Sequence, residues 1–152
     1  MGHDIPGKFI GLILVFFLLV VAPYVNVTVA NEMIDRRSII TDVTNFMDEV
    51  VDSRLITDTA LKELNTNIAS YGVNIDYEIT HYRRSVNPDP IDTENQFYVS
   101  YIPVSLEEPW EKGDRIEVHI FTIGHSAAET LSHKIANLFV SDFDRRICAR
   151  IR

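Results

Sequence analysis

Between Lys8 and Glu32 the chain carries no charged residue. The run Phe9 to Ala30 reads FIGLILVFFLLVVAPYVNVTVA, and its first part, Phe9 to Val21, is Leu, Ile, Val and Phe broken only by Gly11. As an α-helix the run is about 33 Å long, enough to cross a bilayer core of about 30 Å. In a soluble fold such a helix would be apolar on every face, and nothing else in the chain is large enough to wrap it. The run therefore points to an anchored or an exported protein. A signal peptide would use Lys8 as its basic region, Phe9 to Val21 as its apolar region and Thr28-Val29-Ala30 as a cleavage site. Such apolar regions usually span about 7–15 residues, so the length favours a retained anchor. Lys8 on one side faces Arg36 and Arg37 on the other, which leaves the positive-inside rule undecided. We place the short tail in the cytoplasm, because the acidic remainder is the easier part to export.

That remainder is one small domain. Residues 1–8 form the tail, 9–30 the transmembrane helix, 31–140 an extracytoplasmic domain and 141–152 a basic tail. The last segment sets Arg145, Arg146, Arg150 and Arg152 against Asp142 and Asp144. A formal net charge of -8 disfavours nucleic acid as a partner. The single cysteine, Cys148, excludes an internal disulfide and a multi-cysteine metal site. A disulfide-free domain outside the membrane fits a bacterial cell surface.

Met33 to Val51 has helical periodicity. Ile39, Val43, Phe46 and Val50 make its stripe, Ile40, Met47 and Val51 widen it, and Asp42, Asp48, Glu49 and Asp52 hold the other face. No Pro or Gly follows Pro23 before this segment, so it reads as a continuation of the anchor. Thr57 or Asp58 caps a second helix with Leu61, Leu64 and Ile68 inward and Gly72 as its stop. Val73 to Arg83 alternates as a half-buried strand, with Val73, Ile75, Tyr77 and Ile79 on one face. Asn87 to Asn95 is a loop, Phe97 to Val104 a second strand, and Leu106 to Asp114 an acidic turn holding Trp110. Arg115 to Ile123 is a third strand with Ile116, Val118 and Ile120 inward. Ser126 and Glu129 form a capping box opening a last helix, whose buried face is Leu131, Ile135, Leu138 and Phe139. Consecutive strands predict an α+β fold: a transmembrane helix extended by an amphipathic helix, then a three- or four-stranded antiparallel sheet packed on helices.

The chemistry-bearing residues do not assemble into a motif. His81, His119, His125 and His133 lack the spacing of a metal pair, and surface or core histidines are the expectation. Gly124-His125-Ser126 lacks the second glycine of a nucleophile elbow, and Ser126 reads as a helix cap. Asp89, Asp92 and Glu94 share a loop whose Pro88 and Pro90 do not suit a calcium site of EF-hand type. Asp76 and Glu78 lie on the polar face of a strand, where alternation puts acidic residues anyway. Cys148 stands between Arg146 and Arg150, which would favour its thiolate, but in a terminus expected to fray. No catalytic residue, metal or cofactor is expected. Tyr82 and Tyr98, on the predicted outer faces, are the tyrosines expected to be exposed for contacts.

Asn45-Phe46-Met47-Asp48-Glu49-Val50, Arg54-Leu55-Ile56-Thr57, Leu64, Tyr71-Gly72 and Ile75-Asp76-Tyr77-Glu78-Ile79 resemble TadE-like minor pilin proteins of Gram-positive Flp/Tad-type pilus systems. The Lys112-Gly113-Asp114 turn into a strand is similar too. The resemblance spans roughly residues 5–123 in layout. It implies a single-pass, non-catalytic subunit or accessory protein, with the lipid bilayer and other pilus or secretion subunits as partners. The stripe Ile39, Val43, Phe46 and Val50 would then serve as a packing face, beside Tyr82 and Tyr98. Processed prepilins carry a Glu at the fifth position after a Gly. Here Gly2 is followed by Gly7 and Gly7 by Leu12 at that distance, so either the chain is not processed in that way or it is an anchored accessory subunit and not the major fibre subunit. The rival reading is a membrane-anchored ligand-binding or sensory domain with a cavity lined by Tyr77, Tyr101 and Trp110. A tethered hydrolase would need His119 or His125 beside an acid or a serine.

Overall fold

A computed structural model describes residues 5–71, 74–88, 97–124, 130 and 143–152. One helix runs from Pro6 to Ser53, and the 18-residue apolar window that makes it long and greasy enough to cross a membrane is wholly unburied. It consists of α1 (Ile5–Phe16), a π-helical turn (Phe17–Val21) and α2 (Ala22–Ser53). In the π-helical turn the Ala22 N–H bonds back to the Phe17 carbonyl. The cause lies just ahead. Pro23 has no N–H to donate, and its ring would press on the carbonyl of Leu19 in a regular helix. A wider turn before the proline relieves that contact without breaking the rod. At about 1.5 Å per residue the whole helix measures about 70 Å.

The rod ends at Arg54, which is left-handed (φ 56°) and donates its N–H to the Val50 carbonyl at 2.8 Å. Helix α3 (Asp58–Ser70) then starts on the Thr57 cap, whose Oγ1 accepts from the Ala60 N–H at 3.1 Å. Two side-chain bonds fix α3 in place. Tyr71 Oη donates to Asp42 Oδ2 on α2 at 2.7 Å, and Tyr77 Oη donates to Asn65 Oδ1 at 2.8 Å.

Strands β1 (Ile75–Pro88), β2 (Phe97–Val104), β3 (Arg115–Thr122) and β4 (Asp144–Arg150) form one antiparallel sheet in the order β2-β1-β3-β4. The fold is therefore α+β, with four strands among the described residues. Ile116, Val118 and Ile120 are fully buried, as their alternation predicts, and they pack in one core with α2, α3, Trp110, Phe143 and Ile151. The other face of the sheet carries the polar and charged positions of β3 and β4.

Four expectations are corrected or fall outside view. The stripe Ile39, Val43, Phe46 and Val50 is 0–5 % exposed and is consumed by this chain's own core. It is no free packing face, because the sheet needs an apolar cover and α2 is what supplies it. Residues 144–150 are strand β4 and no frayed tail. Phe143, Ile147, Ala149 and Ile151 alternate toward the core, and the intervening charges hide that period from a composition-based reading. Strand β1 runs on to Pro88, past the residue where a loop is expected to begin. Gly72, the acidic positions 89, 92 and 94, and the expected helix with Ser126, Glu129, Leu131, Ile135, Leu138 and Phe139 lie outside the described residues, as do His125 and His133.

Candidate functional site

The alternation that puts Ile75, Tyr77 and Ile79 on the core face of β1 carries on to His81. This imidazole is fully buried, in phase with its apolar neighbours and opposite Ile116. Its Nε2 lies 3.0 Å from Asp114 Oδ2, and its Nδ1 lies 3.4 Å from the Ser105 carbonyl. Trp110 stacks on the ring with centroids 3.9 Å apart and planes 8° off parallel. The cluster thus joins β1, the end of β2 and the turn leading into β3.

Asp114 is the centre of this cluster and is 1 % exposed. Its Oδ1 accepts the Arg84 N–H at 2.9 Å, and its Oδ2 accepts the Glu111 N–H at 2.9 Å beside His81. Its backbone carbonyl accepts the Ile151 N–H at 2.8 Å, and the Gly113 N–H donates to the Ile151 carbonyl at 2.9 Å. One short segment therefore clasps β1, its own turn and the end of the chain. Burial by itself would raise the Asp114 carboxyl, but the N–H donors of Arg84 and Glu111 and the His81 ring outweigh it. They hold the group below its ordinary range. A neutral imidazole can donate to only one of two acceptors, whereas an imidazolium can donate to both the carboxylate and the Ser105 carbonyl.

A second pair lies on the outer face. His119 Nε2 is 2.9 Å from Asp144 Oδ1, across the β3–β4 ladder. Its neighbours are ionic: Arg146 and Arg115 both reach Glu117, and Arg115 Nη2 contacts Cys148 Sγ. His119 thus has the acid that a hydrolase would require, but among the described residues no serine, cysteine or threonine bonds to its ring. Asp76 caps the Tyr77 N–H at 2.8 Å, an ordinary local contact. Among the described residues no group of three or more His, Cys, Asp and Glu side chains is placed to hold a metal ion.

The aromatic residues separate. Tyr77 packs against the core, Tyr101 is exposed on β2 opposite Arg84, and Trp110 is buried on His81. They do not line one cavity. A cleft of about 590 Å³ beside Trp110 is lined by Leu55, Ile56, Leu61, Leu106 and Pro109 among others, with neither Tyr77 nor Tyr101. Tyr98 is 49 % exposed, as expected, and Tyr82 is only partly exposed.

The sequence reading missed the His81–Asp114 pair because 33 residues separate its members. One signal was present: position 81 shares the inward phase of Ile75, Tyr77 and Ile79. The reading also missed the extent of the β1–β2 arm. Arg83 to Pro88 pairs only with Ile102 to Phe97, beyond the β3 register. Val86, Phe97, Tyr98, Val99 and Ile102 are all exposed there. Comparison of the chain with protein-family models, curated proteins and solved structures finds no match.

Proposed function

We propose that this protein is a single-pass, membrane-anchored, non-catalytic subunit or accessory protein of a Flp/Tad-type pilus or secretion assembly, with its α+β domain outside the cytoplasm. The observation that carries this reading is the uninterrupted helix Pro6–Ser53. Its first half is exposed and apolar, and its second half supplies the cover of the sheet. Each Leu, Ile, Val or Phe near the centre of such a span favours insertion by roughly 0.3–0.6 kcal/mol. A domain built onto its own anchor helix is held at a fixed height above the bilayer, which suits a positioning role.

The fold supports one choice of contact surface. The core stripe of α2 is already occupied, so contacts with other subunits fall to the β1–β2 arm, where Tyr98 belongs. Among the described residues strand β2 is an edge strand with no partner on its outer side, a ready template for association. Arg36, near the anchor, lies over Phe143, and Arg54, at the far end of α2, donates to the Arg152 carbonyl, so β4 runs away from the anchor along α2. β1 starts at the Thr122 end of β3 and reaches past its Arg115 end, so the arm extends away from the anchor side. The ligand-binding alternative loses the shared aromatic cavity it required.

The test is fractionation of the full chain expressed in a bacterium that carries such an assembly. The protein is expected to need detergent for extraction and to co-purify with the other assembly subunits. A photo-crosslinker at Phe97 is expected to join it to one of them. A soluble, cleaved and solitary product would overturn the reading.

A further inference from the structure

We infer that the end of the sheet next to the Gly113 turn is a binding site for a small phosphate-type oxyanion carrying at least two charges. A cleft of about 850 Å³ there is lined by Arg84, Lys112, Gly113, Arg150 and Arg152, with Asp48 among the other walls. Gly113 has φ +99°, and a Cβ at that position would lie 3.3 Å from Arg84 Nη1 and 3.5 Å from Arg150 Nη2. Two guanidinium groups thus converge on one point above a residue with no side chain.

What sets them apart is convergence on one cleft without a carboxylate to neutralise them. Arg36, Arg83, Arg115 and Arg146 each reach a glutamate. Among the described residues, no ion pair forms at the side chains of Arg84, Lys112, Arg150 or Arg152, and Asp48 reaches none of them. Like charges held side by side repel, and a bridging oxyanion turns that repulsion into paired, charge-assisted hydrogen bonds. The planar guanidinium fork matches phosphate geometry in particular.

Two facts narrow the ligand. The net charge of -8 repels long polyanions from the molecule as a whole, so a compact group fits better than a polymer. Asp48 also lies about 27 Å along the helix from Ala30, at the end of the apolar run. That height removes the site from the headgroups of the protein's own bilayer. The same phosphate chemistry is offered by soluble oxyanions and by lipid headgroups, and the height selects the soluble source. The site itself stands independently of the assembly role proposed above, whereas the choice of a soluble source rests on the membrane-anchor reading.

The test uses the full chain in nanodiscs of neutral lipid, titrated calorimetrically with inorganic pyrophosphate at constant ionic strength. Saturable one-to-one binding is expected. Arg84→Gln with Arg150→Gln is expected to weaken it about tenfold or more. Arg145→Gln with Arg146→Gln removes the same charge at the other end of β4 and is expected to change it less than about twofold. Lys112→Gln, at an exposed turn, is expected to weaken it about threefold and serves if the double variant melts early. An absence of saturable binding, or equal weakening by both double variants, would overturn the site. In phosphatidylglycerol nanodiscs the affinity is expected to be unchanged. Competition by that lipid would overturn the soluble source.

Discussion

His81–Asp114 and His119–Asp144 are the same two residue types at nearly the same distance, 3.0 Å and 2.9 Å. The first pair has side chains 0 % and 2 % exposed, and the second 21 % and 66 %. Distance therefore says little about what each pair does. In the core the carboxylate has lost its water, so each donor it gains replaces solvation that is already gone. On the surface, water and ions solvate both partners whether or not they touch. A buried pair of this kind is costly to break, and an exposed one contributes little.

The sharpest way to break the comparison is Asp114→Ala. It leaves His81 and the Arg84 and Glu111 N–H groups without their acceptor, and a loss of about 3–5 kcal/mol is expected in denaturant unfolding of the full chain. A loss below about 1 kcal/mol would mean that the clasp is replaceable by water. Trp110→Ala comes next. Removing the ring that stacks on His81 opens a cavity and admits solvent, with an expected cost of about 3 kcal/mol. A double-mutant cycle with Asp114→Ala should show non-additivity, because the two sites share one desolvated space.

The third test uses pH. Asp114 has a folded-state pKa held below its unfolded value, so its contribution is fully present above the unfolded value. It is lost as pH falls through the lower, folded one. Stability is therefore expected to drop below about pH 4, and Asp114→Asn should flatten that part of the profile. An unchanged acid limb in that variant would assign the acid sensitivity to other carboxylates. The smallest effect is expected for Asp144→Ala on the outer face, within about 1 kcal/mol and shrinking further in high salt. A cost equal to that of Asp114→Ala would erase the distinction between the two pairs.

Much of the architecture is legible in the residues. The apolar run, the 3.6-residue stripe of α2, a cap at Thr57 or Asp58 and the inward Ile116, Val118 and Ile120 all follow from local sequence, and the structure places the cap at Thr57. Strand β4 was hidden because its outward positions are dominated by arginine and aspartate, which read as a solvated tail until Phe143, Ile147, Ala149 and Ile151 are seen to alternate. The β1–β2 arm was hidden because Asn87 and Pro88 look like loop residues, yet Pro88 sits at a strand end opposite Phe97, where a missing N–H is tolerated. The occupant of the α2 stripe was also hidden: periodicity reveals an apolar face and never its cover.

The sequence by itself determined where the apolar helix lies, that the rest is an acidic α+β domain, and which residues of β3 point inward. These are properties of neighbours in the chain, set by helical and strand periods and by transfer of side chains from water. Only the tertiary structure decided that α2 is spent on the sheet, that His81 is paired with Asp114 beneath Trp110, and that Arg84 meets Arg150 over Gly113. Each of these joins residues far apart in sequence. Their energies depend on burial and on which charges are left without partners, and neither quantity exists until the strands are laid side by side.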